Sequence, residues 1–155
     1  MFVETLHAAR AEWDEVLAAV PEDRMLESGL PGGWSVKDVV AHVTWSEREM
    51  VGVIRQRALL GSPLWALDVD ARNAAVHAEN RDRELADVLA EARATWAELL
   101  PGLEALTDED LVDRTRFANM SGLPPGVLPW RIFAGNTFLH YRDHARDIRS
   151  WLAAD

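Results

Sequence analysis

The sequence predicts an all-α protein, a four-helix bundle with a long connection between its third and fourth main helices. Four segments repeat apolar residues at steps of three and four, which is the period of an amphipathic helix. The chain shows no alternation of strands with helices, no GxGxxG motif and no internal repeat. Helical bundles accommodate one or two long crossover connections. At this length the chain is expected to form a single domain, residues 1–155.

The first two helices have recognisable boundaries. Apolar residues at helical spacing extend over 2–19, and Pro21 ends this segment. Ser35 is a good N-cap for the second helix, and Asp38 follows three residues later, at the position of the acid in a capping box. The apolar stripe of this second helix continues until Gly61-Ser-Pro63 breaks the pattern.

The third and fourth helices are separated by a long loop. Residues 72–100 predict one helix whose first half is polar, so that half is expected to overhang the core or line the mouth of a cavity. Pro101 ends or kinks this helix. Residues 114–128 are rich in glycine and proline, and loops of this length in compact domains are often functional. The last helix is predicted from Pro129, a favourable first position, to about Ala153.

Charge and composition restrict the class of function. The chain has 26 acidic and 16 basic residues and a net charge of −10. Because neutralisation of phosphates dominates nucleic-acid affinity, neither nucleic acid nor an anionic membrane is expected as a partner. No segment approaches the roughly 20 apolar residues of a membrane span, and charged residues interrupt the N-terminus where a signal peptide needs an apolar run. The lack of cysteine excludes thiolate metal sites and fits a reducing compartment, so we expect a cytoplasmic protein.

The last helix carries two histidines at a spacing typical of metal ligands. His140 and His144 are four residues apart, which places them on one helical face about 5–6 Å apart at Cβ. Paired histidines at this spacing bind one metal ion in helical metalloprotease motifs. Asn136 and Asp147 fall on the same predicted face, where polar groups are costly unless they are paired or ligate something. Periodicity also permits the alternative, in which both histidines face solvent.

A third ligand is available on the second helix. His42 lies at the edge of the apolar stripe, and taken alone it is more often a hydrogen-bonded core histidine. Bundles place metal ligands on facing helices, so His42 is the natural partner of His140 and His144. Three histidines with open coordination positions form a catalytic type of site, and imidazole suits zinc, nickel, copper or iron.

Two motifs resemble those of a known family. One is Gly33-Trp-Ser-Val-Lys-Asp-Val-Val-Ala-His42 with Trp45 after it, and the other is Asn136-Thr-Phe-Leu-His140-Tyr-Arg-Asp-His144. They resemble the second- and fourth-helix motifs of the DinB-like four-helix-bundle superfamily, in particular its DfsB/ClbS branch. The resemblance covers nearly the whole chain, although the first helix is generic. It implies a bundle, often dimeric, in which His42, His140 and His144 hold a divalent metal.

The resemblance also implies an activity. It indicates a metal-dependent enzyme that acts on a small electrophilic molecule, either by thiol transfer or by hydrolytic detoxification of the ClbS kind. The expected cofactors are a divalent metal, zinc or nickel, and a low-molecular-weight thiol. Asp147 and Glu47 are candidates to orient an imidazole, and Asn136 is a candidate substrate contact. For both carboxylates, a solvated surface position is an equal alternative.

Two other classes of function stay open. One is a non-catalytic protein that sequesters a small molecule or a metal. The other is an interaction protein whose histidines are vestigial. His7 and His77 are expected to be surface residues and not ligands, because the first flanks a core position and the second lies on a polar turn.

Overall fold

The structure is a computed structural model that describes residues 1–154. Over these residues the chain is helical, with short 3₁₀ turns, two isolated β-bridges and no strand. No helix in this part of the chain is long and apolar enough to cross a membrane. The α-helices are α1 (Phe2–Ala19), α2 (Val36–Gln56), α3 (Val69–Asn80), α4 (Leu85–Glu104), α5 (Asp108–Val112), α6 (Pro129–Gly135) and α7 (Phe138–Ala153).

The four long helices α1, α2, α4 and α7 form the bundle, which confirms the predicted all-α fold. Helix α2 packs against α4, α1 packs against α7, and α2 also meets α7. The core is built from apolar side chains that recur at helical spacing on these elements, among them Leu6, Val40, Leu99, Tyr141 and Ile148. The long connection between the third and fourth bundle helices runs from the end of α4 to the start of α7 and contains α5 and α6.

The start of α2 is fixed by the capping box that the sequence predicts. The Ser35 hydroxyl accepts a hydrogen bond from the Asp38 amide at 3.2 Å, and the Asp38 carboxylate accepts one from the Ser35 amide at 2.9 Å. The box satisfies amide groups that have no partner within the helix and therefore sets where α2 begins. His42 follows two turns later on the same helix.

The prediction of a single third helix over 72–100 is wrong. The chain forms α3 and α4 with a turn between them. Lys37 is only 7% exposed, and its ammonium group donates hydrogen bonds to the carbonyl oxygens of Arg81 at 2.6 Å and Arg83 at 2.8 Å. A buried cation from α2 thus holds the turn, and helical periodicity within the segment cannot reveal a partner so distant in the chain. Pro101 does not end α4, which continues to Glu104.

The last helix is interrupted, whereas the sequence predicted one helix from Pro129 to about Ala153. Asn136 and Thr137 have non-helical backbone angles between α6 and α7. The Thr137 hydroxyl donates to the carbonyl of Phe133 at 2.6 Å, and the Asn136 amide donates to the carbonyl of Ile132 at 2.9 Å. Short polar side chains that bond nearby carbonyls compete with the helical hydrogen bonds. The interruption removes Asn136 from the helix that carries His140.

The connection between α5 and α6 is held by one guanidinium group. Arg114 donates hydrogen bonds to the carbonyl oxygens of Met120, Leu123, Pro124 and Val127. The planar guanidinium of Arg114 can bond several carbonyl oxygens at once, and a loop this short offers these four carbonyls no equivalent partner. Arg114 therefore fixes the conformation of residues 120–127.

Arg114→Lys is expected to loosen this loop, because an ammonium cannot bond four carbonyls in the geometry of a guanidinium. The loss should be about 1–3 kcal/mol of local stability, the cost of polar groups left without partners. Hydrogen exchange of the Leu123 and Val127 amides, which are bonded within the loop, measures it. Arg142→Lys, on the exposed side of α7, is the control and should leave these amides unchanged.

Candidate metal centre

Helices α2 and α7 bring three histidines together. His42 comes from α2, and His140 and His144 come from consecutive turns of α7. One ring nitrogen of each lies within 4.8 Å of those of the others, and the Nε2 atoms of His42 and His140 are 2.8 Å apart. The ring centroids are separated by 4.7 to 5.3 Å. The three residues singled out by spacing and resemblance thus form one cluster.

The cluster is buried enough to keep its rings neutral. Burial lowers the pKa of His42 from 6.5 to about 4, with a smaller contribution from the neighbouring His144. Burial also holds the pKa of His140 well below its usual value. The pKa of His144 is lowered by burial, against the opposing charges of Asp147 and Asp143. Neutral imidazole is the form that binds metal ions, so all three rings are available as ligands near pH 7.

The hydrogen bonding of the ring nitrogens indicates whether a metal fits the cluster. The Nδ1 atoms of His42 and His140 are buried and have no hydrogen-bond partner in the described chain. Two neutral rings joined through their Nε2 atoms share one proton, which leaves a second N–H and a lone pair without a bond. A cation held by His42, His140 and His144 would take up the lone pairs that meet in the cluster and would leave the protons of His42 and His140 on their Nδ1 atoms. The donor set therefore fits a divalent metal of the kind that imidazole prefers.

The outer support of this site is sparse. Metal-bound histidines usually donate their second N–H to a carboxylate, a carbonyl or water. Among the described residues neither His42 nor His140 has such an acceptor. Asp147 lines the same cavity as His144 and raises its pKa through charge, but no hydrogen bond joins the two.

Glu47 lies elsewhere, and the prediction that it orients an imidazole is corrected by the structure. Its carboxylate is 1% exposed and accepts hydrogen bonds from the Tyr141 hydroxyl at 2.6 Å and from Arg10 at 2.9 Å. Burial raises the pKa of Glu47 from 4.5 to about 7, although Arg10 and Tyr141 oppose the shift. Glu47 is five residues after His42, a rotation of about 140° on a helix, so the two side chains leave α2 on different sides.

A cavity of about 650 Å³ opens beside the cluster and is lined by His42 and His144. The polar first half of the predicted third helix supplies Asn73 and His77 to its wall, and the first turn of α3 adds Asp70. This confirms the expectation that the polar half lines a cavity. The volume lies within the roughly 300–1,000 Å³ of small-molecule sites.

Trp34 and His77 form an aromatic wall of this cavity. Their rings stack at 5.3 Å with an interplanar angle of 13°, and Trp34 also meets His42 edge-on at 5.3 Å. Gly32 and Gly33 have φ values of 78° and 74°, so the turn that places Trp34 requires glycine. His77 was expected on the surface, because nothing local shows that α3 folds back against the start of α2.

Asn136 does not line this cavity. It lines a second, separate cavity between α2 and α6. Its predicted contact with a substrate at the histidines therefore lacks support from the geometry, since the cavity beside the cluster is lined by other residues.

This architecture matches that of a known protein family. Residues 5–148 match the family model described as the DinB superfamily. The chain belongs to the DinB superfamily. A comparison with curated proteins gives no match.

Solved structures share the fold of this DinB protein. The Sibling Lethal Factor precursor DfsB has a TM-score of 0.79 at 17% identity, covering 99% of this chain and 94% of that chain. An uncharacterised protein from Escherichia coli UTI89 gives 0.78 at 15%, covering 99% and 91%. The colibactin self-resistance protein ClbS, in complex with a dsDNA, gives 0.77 at 12%, covering 97% and 93%.

The ClbS complex corrects one prediction from composition. Nucleic acid was excluded as a partner from the net charge of −10. A neighbour with the same fold is bound to dsDNA, so that exclusion is wrong. Net charge is a sum over the whole surface, whereas association depends on the local potential of the face that binds.

Proposed function

We propose that this DinB protein is a metal-dependent enzyme that acts on a small electrophilic molecule in the cytoplasm, by thiol transfer or by hydrolysis. The observation that carries the proposal is the cluster of His42, His140 and His144 at the wall of a cavity large enough for a small molecule. Zinc or nickel is the proposed metal, since three neutral imidazoles suit either ion. A low-molecular-weight thiol is the proposed second cofactor for the transfer reaction.

The residues of the cavity have different roles in the proposed reaction. The three histidines would hold the metal, which when bound lowers the pKa of a coordinated water or thiol so that a nucleophile forms at neutral pH. Trp34 and His77 present a flat aromatic wall for the substrate. Asp147 places a carboxylate beside His144, in position to accept a proton inside the cavity.

A panel of low-molecular-weight thiols and water against small electrophiles, among them epoxides and activated alkenes, tests for turnover. His42→Ala is expected to abolish metal-dependent turnover, because it removes the only ligand from α2. His7→Ala, on the exposed side of α1, is the control and should retain the wild-type rate. Equal rates with and without His42 would contradict the proposal.

The alternative is a protein of this fold that sequesters a small molecule or a metal without turnover. It shares the histidine cluster and the cavity and differs only in the reaction. Under it, His42→Ala leaves an organic ligand bound, while no member of the panel is consumed. Equilibrium dialysis of the panel alongside the rate measurement separates the two.

Nucleic-acid binding is a second candidate function, and the dsDNA complex of ClbS is the observation that favours it. Fluorescence anisotropy of a labelled duplex at low salt tests it, since affinity through phosphates falls steeply with salt.

The single domain over 1–155 and the homodimer also stay proposals. Limited proteolysis and light scattering test them.

A further inference from the structure

A second cavity, of about 530 Å³, lies between the C-terminal half of α2, the loop after it and α6. Met50 and Val53 line it from α2, Leu59 from the loop and Ile132 from α6. No ionisable side chain of the described chain lines it. The histidine cavity, by contrast, is lined by Asp70, Arg81 and Asp147 as well as histidines, and the two cavities share no lining residue.

The wall formed by residues 61–65 is held in place by Glu49. One carboxylate oxygen of Glu49 accepts hydrogen bonds from the Ser62 amide at 2.8 Å and from the Trp65 indole at 2.6 Å. A Cβ at Gly61 would collide with both the Glu49 carboxylate and the Trp65 ring, so glycine permits the close approach. Hydrogen bonds and close packing within the chain therefore hold this wall in place.

Asn136 offers a hydrogen-bond acceptor to this mainly apolar cavity. The Asn136 side chain lines the cavity, and its amide nitrogen is used by the carbonyl of Ile132. No hydrogen bond to its Oδ1 atom occurs in the described part of the chain. A mainly apolar lining with a few placed polar groups, here Asn136 and Ser62, is the usual design of a site that orients a neutral ligand.

The geometry points to a second ligand site in this cavity, for a neutral and mainly apolar small molecule that carries one hydrogen-bond donor. The apolar part would lie against Met50, Leu59 and Ile132, and the donor would bond Asn136 Oδ1. An anion is disfavoured, because no cation lines the cavity to offset its desolvation. This site is independent of the proposed function and of the histidine cluster.

Binding of n-decanol to the full chain, followed by calorimetry and by amide shifts in NMR spectra, tests the inference. We expect saturable binding with the largest shifts over residues 59–66, and about tenfold weaker binding of decanoate. Ala66→Trp, at an exposed lining position, should fill the cavity and weaken decanol binding at least about tenfold. Ala8→Trp, on the exposed side of α1, is the matched control and should bind as the wild type does.

A second variant, Leu60→Glu, tests the cavity independently of any effect that Ala66→Trp has on folding. Leu60→Glu places a charge at the rim, where Leu60 is already 49% exposed, so the fold should tolerate it. It should also weaken decanol binding while keeping the helical circular dichroism of the wild type. Lack of decanol binding by the wild type, or unchanged affinity in a folded Ala66→Trp or Leu60→Glu variant, would overturn the inference.

Discussion

Arg10→Met is expected to destabilise the protein by about 3–5 kcal/mol at neutral pH and above, because it leaves a buried carboxylate without its cation. Arg10 donates to Glu47 at 2.9 Å and lies over the Trp96 ring at 4.4 Å. Glu47 also accepts a hydrogen bond from the Tyr141 hydroxyl. The three side chains therefore link α1, α2 and α7. Urea unfolding of wild type and variant measures the difference.

The cost of losing Arg10 should depend on pH. Burial raises the pKa of Glu47 to about 7, whereas the unfolded chain titrates near 4.5. Between these values the folded state binds more protons than the unfolded state, so the contribution of Glu47 to stability falls as the pH rises. Arg10→Met should therefore destabilise less at about pH 5, where Glu47 is neutral, than at about pH 8. Asp14, which also raises this pKa, is retained in every variant.

Two controls isolate the buried charge. The double variant Arg10→Met, Glu47→Gln should recover much of the lost stability and should lose the part of the pH dependence that Glu47 contributes between these values. Arg93→Met removes an exposed arginine that borders the same region and should change stability by no more than about 0.5 kcal/mol. A cost as large for Arg93→Met as for Arg10→Met would contradict this account of Glu47.

His140→Ala and His144→Ala are expected to remove the stabilisation that zinc or nickel gives to the folded protein. A ligand that binds only the native state stabilises it by about 2.7 kcal/mol at a free concentration of 100 Kd. Either substitution removes a ligand from α7 and leaves two nitrogens, one fewer than the three protein ligands of a catalytic metal site. Melting temperatures with and without added metal measure the loss.

His77→Ala is the matched control for the histidine variants. His77 stands in the same cavity but is not one of the three clustered ligands. It should keep the full metal-dependent rise in melting temperature. Equal loss in His77→Ala and His140→Ala would show that the cavity wall, and not the cluster, responds to the metal.

Features that depend on neighbouring residues could be predicted from the sequence. The capping box at Ser35 and the pairing of His140 with His144 are local, because each needs only residues within one turn. Tyr141 lies about 100° from His140 around an ideal helix, and it is fully buried and stacked on Trp13 at 6.2 Å.

Features that depend on distant partners could not. The turn after α3 is held by Lys37, more than forty residues earlier in the chain, and His77 reaches the cavity only because α3 folds back there. The position of Glu47, by contrast, could have been predicted from the sequence. Its rotation of about 140° from His42 could have been counted on the helix, and it places the carboxylate away from the metal ligands.

The metal content of the native protein tests the central claim most directly. Elemental analysis of protein purified without chelators or a histidine tag should find about one equivalent of zinc or nickel per chain. The His140→Ala variant, purified in the same way, should lose it. Less than roughly a tenth of an equivalent in the wild type, with no rise in melting temperature on adding Zn²⁺ or Ni²⁺, would contradict the three-histidine metal site.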